Sequence, residues 1–314
     1  MHPMTVRATG LLLGHAADRL FGDPRRFHPV AGFGSTAARL ERHWYADDHA
    51  RGVAYLLALV GGATLSAVAA DRCAQRHPVW RTVLTATVTW AVLGGRSLER
   101  EASAVHRLLD TGDIDGARRR LRHLVGRDTA ALTEPEIARA VIESVAENTS
   151  DAVVTPLFWA AVAGVPGLVA HRAANTLDAM VGHHNPRYER FGWAAARFDD
   201  LLGLPGARVS GLLTVAAGPD RRGALTAWRR DARGHPSPNA GVIEACFAGA
   251  LGLQLGGTNT YYGDRREERA LMGDGRRPAV ADIPRTGRLA RHVAHGAVLT
   301  AVSVCLARAR RAAG

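Results

Sequence analysis

The sequence predicts an all-α, polytopic membrane fold with helical hairpins, broken or re-entrant segments and a polar helical cytoplasmic region. Three observations predict it. Val53–Ala70 runs 18 residues without a charge, the length of a membrane-spanning helix. Pro78–Gly95 follows after a short polar link. Only Arg81 interrupts it, close enough to the end for its stem to carry the charge to the interface. Third, polar clusters stand against both ends of the apolar run Ala152–Ala170, which neither a solvated loop nor a plain span requires.

The elements then follow in order, and the whole of 1–314 reads as one integral-membrane domain. Ala8–Gly22 is a short apolar stretch broken by His15, Asp18 and Arg19, without a small-residue cleavage site, so a removable signal peptide is not expected. Residues 53–95 form the transmembrane hairpin. Residues 96–150 form a polar helical region, in which Thr111-Gly-Asp113 separates two helical patterns and Arg118-Arg119-Arg120 adds charge. Its arginines place it in the cytoplasm by the positive-inside rule.

Residues 151–263 carry three apolar segments: Ala152–Ala170, with Pro156 and Pro166; Ala207–Gly218, too short to span; and Ala240–Gly257, with Glu244 and Gln254 inside it. If all three crossed, the polar clusters between them would alternate between membrane faces. At least one is therefore predicted not to cross, and Glu244, an ionisable group in an apolar run, becomes a candidate for function. Ser237-Pro-Asn239 leads into a helix with Asn239 as N-cap. The glycine-rich turn from Gly252 to Gly263 is expected to be a flexible connection, 264–292 a basic loop, and 293–307 a terminal apolar helix.

Composition narrows the chemistry. Net charge is +11, and because the chain has no lysine, all 40 fixed basic side chains are arginine. A lysine nucleophile, Schiff base or phosphate-loop lysine is excluded. The arginines are dispersed and no aromatic-rich stripe accompanies them, so no nucleic-acid partner is expected. Cys73, Cys246 and Cys305 form no CxxC pair, which gives no sign of a disulfide framework or a zinc site.

The most informative stretch is Glu143-Ser-Val-Ala-Glu147-Asn148-Thr-Ser-Asp151. Thr133-Glu-Pro-Glu136 before it reads as a helix start, with Thr133 as N-cap and Pro135 in the first turn. Glu143, Glu147 and Asp151 are spaced i, i+4, i+8, so on an α-helix they share one face. Their mutual repulsion must be offset by water, a distant arginine or a divalent cation such as Mg²⁺.

Five motifs then occur in order: Gly22-Asp23-Pro24 with His28-Pro-Val30; Glu143 to Asp151; Asn175-Thr-Leu-Asp178 with Met180-Val-Gly182; Tyr188 through Phe191-Gly-Trp-Ala-Ala-Ala-Arg197 to Asp199-Asp200; and Ser237-Pro-Asn239-Ala-Gly241. In these the chain, from about residue 10 to about residue 265, resembles the adenosylcobinamide-phosphate synthase family of cobalamin biosynthesis, the CobD/CbiB type. The resemblance implies a multi-pass protein of the cell (inner) membrane with its active site facing the cytoplasm. It implies ATP-dependent amide formation between adenosylcobyric acid and (R)-1-amino-2-propanol phosphate, or a related amino-alcohol phosphate, with ATP as co-substrate and Mg²⁺ as cofactor.

Under that resemblance Glu143, Glu147 and Asp151 are expected to hold Mg²⁺. Asp178, Asp199 and Asp200 are expected to complete the metal shell or to act as base. Arg172 and Arg197 would hold phosphate, Asn148 and Asn175 would orient substrate, and Asp23, His28, Ser237 and Asn239 would bind substrate. Expected partners are the corrinoid, the amino-alcohol phosphate and the lipid bilayer, together with a homo-oligomer or other enzymes of the pathway. The chain departs from the family pattern at Arg172, where lysine is usual. It departs again at Ala179 and His183, where serine and tyrosine are usual, which removes any hydroxyl role there. Arginine keeps the charge and can grip a phosphate with two prongs, but cannot usefully give up a proton. The alternatives are a non-catalytic membrane regulator resembling AmpE, or a transporter.

Overall fold

A computed structural model describes residues 2–24, 28–261 and 265–312. In chain order the helices are α1 (Pro3–Phe21), α2 (Pro29–Trp44), α3 (His49–Ala74), α4 (Pro78–Val92), α5 (Gly95–Asp110), α6 (Ile114–Leu121) and α7 (Glu134–Thr149). A π-helical turn over Ser150–Val154 leads into α8 (Thr155–Val181), then α9 (Trp193–Ala217), α10 (Arg221–Asp231) and α11 (Ala240–Leu251). Strands β1 (Leu255–Tyr261) and β2 (Arg265–Met272) precede the last helix, α12 (Asp282–Arg311).

Local chemistry sets many of the starts. Proline at the first turn opens α1, α2, α4 and α7, where its missing N–H costs nothing. At α7 the expected cap is present as a full capping box. The Thr133 hydroxyl donates to the Glu136 carboxylate at 2.6 Å, and the Thr133 N–H does so at 2.8 Å.

Two compact units emerge. The first comprises Met1–Gly94, Asp151–Gly206 and Ala297–Gly314. Within it α1 packs chiefly on α4, and α3 on α8. Its core joins Leu56, Leu59 and Val60 of α3 to Ala174, Leu177 and Val181 of α8, closed by Tyr55 and Phe191 with ring centroids 5.0 Å apart. α8 is not straight. Gly164 sits at φ +71° and Pro166 follows, which bends the segment, the effect expected of a proline and a left-handed glycine.

The second unit comprises Gly95–Ser150 and Ala207–Gly296. Amphipathic α5 buries Leu98, Ala102, Val105 and Leu109, a single stripe at helical spacing. Every residue of α11 is buried, against α10 and α7.

Three segments are long and apolar enough to cross a membrane: α3, the run Glu134–Val181 that contains α8, and α12. α3, at 26 residues, extends ~39 Å, against a bilayer core of ~30 Å. α4, the other arm of the expected hairpin, has 15 residues, or ~22 Å. α11, with 12 residues, is too short to cross, as required of at least one of the three apolar segments.

The all-α expectation needs correction. β1 and β2 pair antiparallel, with a bulge between Leu255 and Gly257. Gly256 and Gly257 take φ +86° and +89°, backbone that only glycine adopts easily, and Thr258 and Thr260 then favour strand. The basic loop over 264–292 is likewise, where it is described, strand to Met272, an irregular connection, and helix from Asp282. Asp264 lies outside the described residues, as do Tyr262 and Gly263 of the glycine-rich turn. α12 begins at Asp282, eleven residues before the apolar stretch, because the buried Asp282 carboxylate accepts from Arg276 and Arg285 at 2.7 Å and from the Ala279 N–H at 2.9 Å.

Candidate functional site

Each unit holds a polar cluster that gathers residues singled out in the sequence. In the first unit the group forms around Arg172, half-buried on α8. Its guanidinium donates to Asn175 Oδ1 at 3.4 Å and lies within electrostatic reach of Asp23, Asp151 and Asp199. These come from the loop after α1, the π-helical turn, and the first turns of α9. Asn175 in turn hydrogen-bonds the Asp199 side chain.

Burial, then the neighbouring Asp178 and Asp200 carboxylates, push the Asp199 carboxyl up to about 7, against the opposing pull of Asn175 and Arg172. Asp199 Oδ1 is buried without a hydrogen-bond partner. Gly182 makes the placement of Asp178 feasible, since a Cβ there would stand 1.9 Å from Asp178 Oδ1.

The remaining predicted residues of this unit lie at its margins. His28 caps α2, its Nδ1 accepting the Val30 N–H at 3.2 Å, with Nε2 4.0 Å from Asp23. Arg197 is exposed and faces Asp200 at 3.8 Å. Burial raises the Asp200 carboxyl above its usual range.

The second unit contains Glu143 and Glu147, but Asp151 belongs to the first. The α-geometry that gives the three one face ends at Thr149, where the wider π turn begins. Of the three sources of relief for their repulsion, a distant arginine serves Glu143. Arg127 Nη2 donates to Glu143 Oε2 at 2.7 Å, the Gly256 N–H donates to Oε1 at 3.0 Å, and Arg139 stands 4.0 Å away. Arg139 also donates to the carbonyls of Gly256 and Thr258, tying α7 to the hairpin.

Glu244 lies fully buried on α11, with His235 Nε2 3.7 Å from Oε1 and no hydrogen bond to either oxygen. Burial, with Glu143 and Glu147 nearby, raises its carboxyl far above the usual range. Arg127, Arg269, Glu143, Ser144 and Glu147 line a cavity of about 120 Å³.

Asn148 and Asn239 are engaged within the protein. Asn148 Nδ2 donates to the Ser144 carbonyl at 2.9 Å. Asn239 occupies the N-cap position of α11 but does not cap it. Its Oδ1 accepts from Arg208 at 3.0 Å, and the Ser237 hydroxyl takes the N–H groups of Asn239 and Ala240 at 3.2 Å. Ser237 is therefore the cap.

Among the described residues no three His, Cys, Asp or Glu side chains converge as a metal cage. Both Glu143 oxygens already face N–H donors, which fits a metal ligand poorly. Asp178 beside the orphaned Asp199 oxygen offers two carboxylates. That set suits Mg²⁺ brought in by substrate phosphates, where one or two protein carboxylates suffice.

Arg127, Arg139 and Arg269 escape a reading of the sequence by motif. Only Arg139 left a signal, four residues before Glu143 and so on its face. Arg127 sits in a loop and Arg269 on a strand.

Comparison with known proteins is consistent along the whole chain. A family model described as "CobD/Cbib protein" matches residues 11–290. A cobalamin biosynthesis protein CobD of Mycobacterium tuberculosis (strain ATCC 25618 / H37Rv) is 49% identical over 96% of this chain and 97% of its own. The CobD of Geobacter metallireducens is 45% identical over 88% of this chain and 89% of its own. That of Rhodobacter capsulatus is 42% identical over 87% of each. No solved structure matches the chain.

Proposed function

The chain belongs to the CobD/CbiB family of cobalamin-biosynthesis proteins, and from that premise we propose that it is an amide-forming ligase. In this reading it joins a carboxylate of adenosylcobyric acid to the amine of a short amino-alcohol phosphate, with hydrolysis of one ATP. It works as a multi-pass inner-membrane protein with its polar groups open to the cytoplasm. The observation that carries the reading is a convergence: Arg172, Asn175 and Asp178 of α8 meet Asp199, from a different motif on α9, in one half-buried group.

The chemistry runs in two steps. A corrinoid carboxylate oxygen attacks the terminal phosphorus of ATP. The bond to ADP breaks and an acyl phosphate forms. The amine nitrogen then attacks the acyl carbon, the carbon–oxygen bond to phosphate breaks, and nitrogen gives its proton to a carboxylate base. Charge builds on phosphoryl oxygens in the first step, so fixed cations supply most of the stabilisation. Arg172 grips those oxygens in place of the lysine usual in the family. Asp178 and Asp199 would hold Mg²⁺ arriving with ATP, which when bound neutralises part of the same charge.

A mass-resolved assay tests this on the full chain in detergent, with adenosylcobyric acid, aminopropanol phosphate, ATP and Mg²⁺. The expected result is a product at the mass of the condensed amide, absent when ATP is withheld. Corrinoid and amine both bound, with no product, would overturn the ligase reading.

A further inference from the structure

Two arginines from opposite ends of the chain meet at the bend of α8. Pro166 has no N–H to give the Val162 carbonyl, so the helix leaves that carbonyl without its usual donor. Arg308 of α12 supplies one: its Nη1 donates to the carbonyls of Ala161 and Val162, each at 3.3 Å. Arg7 of α1 donates from its own Nη1 to the same Ala161 carbonyl at 3.2 Å. All these residues belong to the first unit.

One guanidinium would satisfy the two carbonyls. The second brings a like charge beside the first, and Arg81 adds to the repulsion on Arg7. Among the described residues neither Arg7 nor Arg308 forms an ion pair with a carboxylate. Asp71 lies within electrostatic reach of Arg7 but is already taken. Arg81 donates to its two oxygens at 3.2 and 3.4 Å, and Gln75 donates to it at 3.2 Å. A guanidinium has five N–H groups, and one nitrogen of each of these two is engaged. The remaining donors carry a double positive charge in the planar geometry that suits phosphate oxygens.

The surroundings are apolar and open. Arg308 is exposed, and so are Val304 one turn before it, Leu306, and Val162 on the bend. Trp80, beside Arg81 on the first turn of α4, is 65% exposed. A soluble anion gains nothing from such a rim, whereas acyl chains do. Tryptophan and arginine side by side mark the headgroup level of a bilayer. α3 and α12 are both long and apolar enough to cross one.

We infer that Arg7 and Arg308 form a binding site for an acidic phospholipid, its phosphate against the two guanidiniums and its acyl chains along Val162, Val304 and Leu306. The bound phosphate offsets the repulsion at the bend, so the lipid stabilises the first unit. The site does not depend on the ligase reading.

The test uses the full chain, delipidated in detergent, with dioctanoyl phosphatidylglycerol as the probe and native mass spectrometry as the readout. Dioctanoylglycerol, which lacks the phosphate, and glycerol 1-phosphate, which lacks the chains, are the competitors. The phospholipid should bind more tightly than either. Arg308→Gln should weaken it roughly 10- to 100-fold, the effect of losing one charged hydrogen bond, and Arg7→Gln should do the same. Arg311→Gln, also exposed in the last turn of α12, should change binding by less than about twofold, since a more distant exposed charge is screened. Arg308 is exposed, so its variant keeps the test open should the Arg7 variant fail to fold. Equal binding of dioctanoylglycerol would leave only an apolar surface, and equal binding of glycerol 1-phosphate would make the ligand a soluble phosphate. Either result overturns the assignment, as does a loss of the same size in Arg311→Gln or indifference to Arg308→Gln.

Discussion

At the scale of single residues, charge pairing separates side chains that hold the fold from those available to chemistry. Arg127 and Glu143 are each 6% exposed and 2.7 Å apart, so solvent screens the pair little. Removing one partner of a buried pair typically costs about 3–5 kcal/mol, because the other charge is left stranded. Arg127→Ala should therefore lower the thermal unfolding midpoint in detergent sharply. Arg127→Met with Glu143→Gln should recover most of the loss, since glutamine still accepts from Gly256; a double variant no better than the single would deny the pairing.

Asp199 is the opposite case. Its carboxyl titrates near 7 in the fold, raised chiefly by burial, against about 3.9 in an unfolded chain. A raised carboxyl favours the folded state at low pH, and that contribution is lost as pH climbs from about 4 through about 7. Asp199→Asn removes the penalty. Its gain in unfolding midpoint over the unaltered chain, measured in EDTA, should grow from pH 4 to pH 7 and stay level above. A pH-independent difference would mean that Asp199 is not buried as described.

At the scale of elements, two kinds of glycine in apolar helices predict opposite results. Gly164 of α8 has φ +71°, and an added Cβ would meet the Arg7 guanidinium at 2.7 Å. Gly164→Ala should cost about 1–2 kcal/mol from the left-handed backbone alone. Gly61 of α3 has open space around it and ordinary helical backbone, so Gly61→Ala should be neutral or stabilising by up to about 1 kcal/mol. The pair is read from unfolding midpoints under one set of conditions, and equal shifts would remove the kink from the account.

The same contrast explains what sequence could convey. Helices with a local signal were legible: the Thr133–Glu136 box, the prolines that open α4 and α7, and the uncharged run of α3. The β1–β2 hairpin was not, because Gly256 and Gly257 read as flexibility until their positive φ angles and the tether from Arg139 are seen. The site was half legible. Asp178 and Asp199 stood out as acids beside an apolar run and do come together with Arg172. Glu143, Glu147 and Asp151 looked like one constellation only because an uninterrupted α-helix was assumed through Ser150. The arginine that neutralises Glu143 comes from a loop 16 positions away, and no periodicity reports such a contact.

At the scale of the whole molecule, the question is how the chain meets the membrane. α3 exceeds the bilayer core and α4 falls short of it, so the hairpin crosses fully only if the flanking turns of α4 enter the interface. Arginine placement favours the crossing arrangement. After α4 the chain is dense in arginine, from Arg96 through Arg139, whereas one of those at the α3–α4 turn, Arg81, is matched by Asp71 at 3.2 Å. If the arginine-dense region lies in the cytoplasm, as the positive-inside rule predicts, the turn lies on the outer face. Cys73 reports on that turn directly, because it is exposed on the last turn of α3 while Cys246 and Cys305 are buried. In intact spheroplasts a membrane-impermeant maleimide should label the unaltered chain, and Cys73→Ser should abolish the labelling. Labelling that appears only after the membrane is opened would place the turn inside. α3 and α4 would then form a re-entrant or interfacial hairpin, and the multi-pass topology would rest on α8 and α12 alone.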